Sequence, residues 1–189
     1  MTVAADGQRC RVRLHGKSGG GGPTETRDDG VWDVFPNGNA EGWGGRQWLY
    51  FPDADYADAV EVVRAAIEGC DVVLLGGFSN GATFAAKVYC RGETFDGRLA
   101  GVIVDDPVPD HAADDCAPAP GVPVTLYWTG GLDDPAAPGW SCAEGDWTCE
   151  GGETIGIDAF AAALDTPIVD SPMDGHSWYW DAPELSAWP

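Results

Sequence analysis

The chain has 189 residues, 44% apolar and 22% charged, which is typical of one globular domain and not of a disordered segment. With 31 Asp and Glu against 10 Lys and Arg, the net charge of −21 disfavours nucleic acid and anionic lipid as partners. No apolar stretch reaches the roughly 18–20 residues that span a bilayer, and the first residues lack the basic and apolar regions of a signal peptide.

The acid excess comes with only two lysines, Lys17 and Lys87. Such a surface keeps a protein soluble at high salt, where charge repulsion is screened, and this favours a saline source as one hypothesis. A high-GC coding composition explains the same counts without adaptation to salt. Only the first hypothesis predicts a melting temperature that rises between low and molar NaCl.

The first half of the chain predicts two strands, two loops and a helix. Alternating polarity predicts a strand over 10–16, and a second strand over 31–38 ends at a turn signal. A glycine-rich loop separates them, and 39–53 is predicted as a Gly/Trp-rich loop. Residues 53–69 carry an apolar stripe between an Asp cap and a closing Gly, which predicts an amphipathic helix.

The second half alternates buried strands with helices. Its strands are apolar runs of the kind that parallel sheets cover on both faces, at 71–79, 99–107, 122–130 and 166–172. Helices are predicted at 80–90 and 156–164. The mostly alternating order predicts an α/β domain over 1–189 with a largely parallel sheet.

Candidate catalytic groups follow these strands, at the edge where ligands collect in α/β sheets. Ser79 ends the run over 71–79, Asp133 follows the strand over 122–130, and His176 follows the last strand. A serine hydroxyl needs a base to take its proton, an imidazole is suited to that role, and a carboxylate orients the ring. The arrangement predicts a nucleophilic triad.

These residues resemble the α/β-hydrolase superfamily. The sequence Gly77-Phe78-Ser79-Asn80-Gly81 is similar to its GxSxG nucleophile elbow between a strand and a helix, and "DGHSW" around His176 is similar to a segment of polyhydroxybutyrate-depolymerase-like and feruloyl or acetylxylan esterases. The resemblance covers residues 10–180. It implies an α/β-hydrolase fold with a mostly parallel sheet of about six strands, lacking the usual first strands and the lid, and an open site.

The resemblance also implies the role of each triad residue. Ser79 is the nucleophile, His176 the base and then the acid, and Asp133 the carboxylate that orients His176. Asp134 is the alternative to Asp133. The two carboxylates that end "VIVDD" (102–106) are instead expected at a solvated strand end.

Backbone N–H groups are expected to bind the oxyanion. The resemblance implies Asn80 as one donor and Lys17 as the other, with Ser18 left open because the glycine run over 19–22 is longer than usual. His15 is expected to be structural, packing or bonding behind this loop.

Several aromatic residues fall in loops or near the predicted active edge. Phe78, Trp43 and Trp178 are the candidates for binding substrate, and core filling explains such residues about equally well. No Cys/His cluster suggests zinc, and we expect neither a metal nor an organic cofactor.

The six cysteines permit three disulfides. Cys142 and Cys149 flank a short polar loop that a disulfide would close. The strand order of the resembled superfamily implies two further pairs, Cys10 with Cys70 and Cys90 with Cys116, at the edge opposite the site. Such pairing implies an extracellular or otherwise oxidising compartment.

The sequence therefore predicts a monomeric serine esterase that acts on small or polymer-borne esters of carbohydrates, hydroxycinnamates or polyesters. One alternative keeps the triad in a thioesterase, peptidase or perhydrolase. Another is a catalytically silent binding module on the same fold.

Overall fold

The computed structural model describes residues 7–42, 44–133 and 154–186. Its strands are β1 (Arg9–Leu14), β2 (Glu25–Thr26), β3 (Trp32–Val34), β4 (Ala40–Gly42), β5 (Gly45–Gln47), β6 (Val72–Phe78), β7 (Leu99–Asp105), β8 (Val124–Trp128) and β9 (Ile168–Asp170). Its helices are α1 (Asp53–Ala66), α2 (Asn80–Cys90), α3 (Ile157–Leu164) and α4 (Pro183–Ser186). None of the helices in the described part is long and apolar enough to cross a membrane.

The central sheet has seven strands in the order β2-β3-β1-β6-β7-β8-β9. All neighbouring pairs are parallel except β2 with β3. The predicted strands and helices are present, with strands shorter than the apolar runs that indicated them. The short strands β2, β4 and β5 were not predicted, because they lie in glycine-rich segments that carry no alternating apolar pattern.

The sheet is covered unequally on its two faces. Alternate residues of the central strands, such as Val73 and Leu75, join a large core with α1, α2 and α3. The intervening residues, such as Leu74, pack in a smaller core with Ala182 and Leu185 of the C-terminal segment. This alternation is the two-residue period of a sheet buried on both faces.

Two disulfides join elements of this sheet and its helices. Cys10 is bonded to Cys70 and Cys90 to Cys116, as the resemblance implied. Cys142 and Cys149 lie outside the described residues. In the chain-entropy model, closing the 60-residue loop between Cys10 and Cys70 is worth about 4 kcal/mol. These bonds fit an oxidising compartment.

Candidate active site

The turn between β6 and α2 holds Ser79 in a conformation that few non-glycine residues adopt. Its φ is 54° and its ψ is −120°. The backbone N–H of Ser79 donates to the carbonyl of Asp105 at 3.1 Å, and its carbonyl accepts from the N–H of Thr83 at 3.0 Å. Such backbone strain persists only where the surrounding structure imposes it, and here both neighbouring elements do so.

The two glycines of the GxSxG motif are required by close packing. A Cβ on Gly77 would lie 2.2 Å from the carbonyl oxygen of Gly81, and a Cβ on Gly81 would lie 2.4 Å from that of Leu14. A Cβ on Gly16, just after β1, would lie 3.2 Å from the Cβ of Ser79. The turn after β1 and the serine turn are therefore in direct contact, which places the Lys17 segment beside Ser79.

His15 has the structural role expected of it. The backbone N–H of Gly38 donates to Nε2 of His15 at 2.9 Å, so Nε2 is unprotonated. The proton then resides on Nδ1, which donates to the carbonyl of Gly16 at 2.7 Å. Burial lowers the pKa of His15, in keeping with a neutral ring. His15 thus holds the turn that precedes Lys17.

Asn80 is the first residue of α2, where a backbone N–H has no carbonyl within its own helix to bond. Its side chain is used elsewhere: Oδ1 accepts from the N–H of Trp48 at 2.7 Å, and Nδ2 donates to the carbonyl of Trp48 at 3.0 Å. These two bonds tie the start of α2 to the loop after β5. The Asn80 side chain is thus occupied by Trp48, and the oxyanion role predicted for the Asn80 backbone N–H stays a prediction.

Within the described part of the chain, His176 contacts the carboxylate of Asp106, which the sequence did not single out for this role. Nδ1 of His176 is hydrogen-bonded to Oδ2 of Asp106, whose side chain is fully buried. The sequence predicts the same kind of contact for Asp133, and that prediction stays untested. The side chain of Asp133 and all of Asp134 lie outside the described part of the chain.

Asp106 is held by its neighbours in a defined orientation. It follows β7 with a φ of 49°, and Oδ1 accepts from the backbone N–H of Thr129 at 2.9 Å. The Thr129 hydroxyl donates to Oδ2 at 2.8 Å and accepts from the N–H of Gly131 at 3.0 Å. Sequence reasoning missed Thr129; the only signal was its place at the end of β8, beside the strand that ends in Asp106.

The expectation of a solvated "VIVDD" strand end is wrong. Asp105 and Asp106 are 1% and 0% exposed. Oδ2 of Asp105 accepts from the backbone N–H of Tyr179 at 2.6 Å, and Oδ1 has no hydrogen-bond partner in the described part. Burial raises the pKa of Asp105 to about 7, and the adjacent Asp106 charge adds to this effect.

One of the predicted substrate-binding residues, Phe78, lies against His176, and a second, Trp178, lies against Phe78. The Phe78 ring stacks on the imidazole with centroids 4.5 Å apart, and Trp178 stacks on Phe78 at 5.7 Å. Because Phe78 is bonded to Ser79, the imidazole lies beside the Ser79 turn. Trp43 lies outside the described residues.

Comparison with known proteins shows the fold. No family model matches the sequence. No curated protein matches it either. Among solved structures, the Bacillus cereus carboxylesterase superposes with a TM-score of 0.59 at 15% identity, over 95% of this chain and 85% of that one.

Two other solved structures are similar over nearly the whole chain. Esterase PE8 gives a TM-score of 0.56 at 19% identity, over 98% of this chain and 92% of its own. The Zea mays acyl-protein thioesterase 2 gives 0.53 at 14% identity, over 98% and 94%. The chain therefore has an α/β-hydrolase fold, as the sequence resemblance implied.

Proposed function

We propose that this protein is a serine hydrolase that cleaves carboxylic esters through an acyl-enzyme. The observation that carries the proposal is the bond from Nδ1 of His176 to buried Asp106, next to a strained Ser79 turn. In this proposal Asp106, and not Asp133, is the third triad residue. The esterases and thioesterase of similar fold support hydrolysis of an acyl bond as the reaction class.

The contact with Asp106 determines which imidazole nitrogen acts as the base. With Nδ1–H donating to the carboxylate, Nε2 carries the lone pair that accepts the proton of the Ser79 hydroxyl. Oγ of Ser79 attacks the ester carbonyl while that proton moves to His176. The negative charge on Asp106 stabilises the imidazolium that results.

The attack leads first to an acyl-enzyme and then, by hydrolysis, back to the free enzyme. The oxyanion accepts hydrogen bonds from the backbone N–H groups of Asn80 and Lys17, at the contact between the two turns. The tetrahedral species collapses, and the departing alcohol takes the proton from His176, which leaves acyl-Ser79. Water then attacks the acyl carbonyl with His176 as base, and the second tetrahedral species collapses as His176 returns that proton to Oγ of Ser79 and the carboxylic acid leaves.

The substrate class is proposed as a small or polymer-borne ester, of a carbohydrate, a hydroxycinnamate or a polyester. Between β7 and β8 the described chain holds only a short 3₁₀ turn, His111–Ala113, and no inserted lid, which suits an open site. The two disulfides suit an extracellular location, where thiols are oxidised.

Intact-mass analysis after treatment with a fluorophosphonate probe tests the proposal. We expect the wild-type chain to gain one probe mass and Ser79→Ala to gain none. Rates on p-nitrophenyl acetate, p-nitrophenyl butyrate, a thioester and a peptide anilide then separate an esterase from the other acyl-transfer hydrolases. Wild-type protein that takes up no probe would refute the proposal and favour a silent binding module.

A further inference from the structure

The loop that carries His176 has little secondary structure to hold it. Between β9 and α4, residues 171–182 form neither helix nor strand. Loops are more mobile than the elements they connect, yet a catalytic base must be positioned to a fraction of an ångström. The hydrogen bond to Asp106 holds the imidazole at Nδ1, within the plane of the ring.

A series of stacked rings restrains the face of the imidazole as well. Starting from His176, the rings of Phe78, Trp178 and Trp180 follow one another with centroid separations of 4.5, 5.7 and 4.1 Å. The angles between successive ring planes are 29°, 15° and 23°. We call Phe78, Trp178 and Trp180 the aromatic column.

The outer end of the column, Trp180, contacts Arg13 of the sheet. The guanidinium carbon of Arg13 lies 4.9 Å from the centroid of the Trp180 ring. Arg13 belongs to β1, is 6% exposed, and has its Nε 3.4 Å from a carboxylate oxygen of Asp33 on β3. A cation fixed in the sheet therefore attracts the outer indole and limits its movement.

The inner end of the column joins the two proposed catalytic groups. Phe78 is the last residue of β6 and is bonded to Ser79, while its ring covers a face of the His176 imidazole. A movement of the imidazole out of its plane would break this stacking. The face of an aromatic ring also attracts the imidazolium that forms when Ser79 loses its proton.

We propose that the aromatic column positions the His176 ring for proton transfer, so that Phe78 and Trp178 are positioning residues and not part of a substrate-binding surface. This inference rests on the proposed function, in which His176 is the base. It assigns Trp180, which is 48% exposed, to the same positioning role.

The test substitutes the middle of the column. Trp178→Leu removes the ring that links Phe78 to Trp180, and Trp178→Phe restores a ring that can stack. We expect Trp178→Leu to lower kcat roughly two- to tenfold, the range that lost aromatic stacking provides. The loss is expected to be equal for p-nitrophenyl acetate and p-nitrophenyl butyrate, with KM unchanged, and Trp178→Phe should recover most of the rate.

A substrate-binding role predicts a different result. Trp178→Leu would then raise KM, more for the butyrate than for the acetate, and this outcome would overturn the inference. So would a kcat equal to that of the wild type. As a control for general destabilisation, Phe160→Leu removes a buried ring in α3 on the other face of the sheet and should lower the melting temperature without changing kcat.

Fluorophosphonate labelling of the wild type separates the two proposals. If the wild-type chain is labelled at Ser79 and Trp178→Leu reacts at the wild-type rate, the positioning role is wrong and the proposed function stands. If the wild-type chain is not labelled, the proposed function itself is wrong.

Discussion

Replacing Asp106 by Asn tests the central contact of the proposed site. The carboxylate accepts three hydrogen bonds, from the N–H and hydroxyl of Thr129 and from Nδ1 of His176. An Asn side chain of the same shape can still accept from the Thr129 N–H through Oδ1, and its Nδ2 can donate to the Thr129 hydroxyl. The fold should therefore tolerate the change.

The consequence falls on His176. Nδ2 of the new amide would face Nδ1–H, so two donors would meet unless the imidazole moves its proton to Nε2. In that tautomer Nδ1 accepts from the amide, and Nε2 can no longer take the proton of Ser79. Loss of the correct tautomer and of the stabilising charge is expected to lower kcat about 10³- to 10⁴-fold, or about 4–5.5 kcal/mol of transition-state free energy.

Release of p-nitrophenol from p-nitrophenyl acetate measures this loss, and circular dichroism melting verifies that the variant is folded. Asp133→Asn is the matched control, because it makes the same chemical change in the carboxylate predicted from the sequence. Its kcat is expected within about threefold of the wild type, since Nδ1 of His176 is already bonded to Asp106. A large loss in Asp133→Asn beside a near-normal Asp106→Asn would refute the assignment of Asp106.

Three further predictions concern the residues around this contact. Burial raises the pKa of Asp105 to about 7, so the folded state binds the proton of this carboxyl group more tightly than the unfolded state does. The stability that this gives is fully present below about pH 4 and is lost as the pH rises to about 7. The unfolding free energy of the wild type should therefore fall as the pH rises through that window, and Asp105→Asn should reduce this fall by up to about 1.4 kcal/mol per pH unit. Denaturant unfolding at several pH values gives the unfolding free energy of both proteins, and plots against pH that run parallel would contradict the prediction. Thr129→Val should lower kcat about tenfold while Thr129→Ser retains it, since valine lacks the hydroxyl that donates to Asp106 and accepts from the Gly131 N–H, and serine keeps it; equal rates would show that these bonds do not matter. Gly81→Ala should lose soluble folded protein because its Cβ would lie 2.4 Å from a carbonyl oxygen, whereas Gly76→Ala, with 3.6 Å of room, should express and melt normally; equal yields would argue against the packing.

Much of the fold could be predicted because its signals are local. The continuous apolar runs indicated β6, β7 and β8, since strands buried on both faces need apolar side chains at every position. The helix predicted over 80–90 has those bounds in the structure. The short strands β2, β4 and β5 could not be predicted, because pairing with a distant partner and not composition defines them.

Some residues of the candidate site could likewise be predicted from the sequence, and others could not. Ser79 and its flanking glycines are recognisable from sequence because the strained turn and the close contact with β1 permit few residue types. A structural role for His15 could be predicted because this residue stands at the start of the loop after β1. In the structure its ring is bonded to the backbone of Gly16 and of Gly38. The substrate-binding role of Trp178 stays a sequence-based prediction. The positioning role proposed for the aromatic column is the alternative to it.

The sequence could not show which carboxylate contacts His176. Asp106 and Asp133 each follow a strand that points to the same edge, and both carry the same chemistry. The structure shows that Asp106 follows β7 with a left-handed φ of 49°, and that its carboxylate is bonded to Thr129 and His176. Residue types and their order along the chain predicted that a serine, a histidine and an acid lie at one edge of a parallel sheet. Only the tertiary structure shows the contact between Asp106 and His176, because a hydrogen bond depends on the distance and direction between side chains that are 70 residues apart.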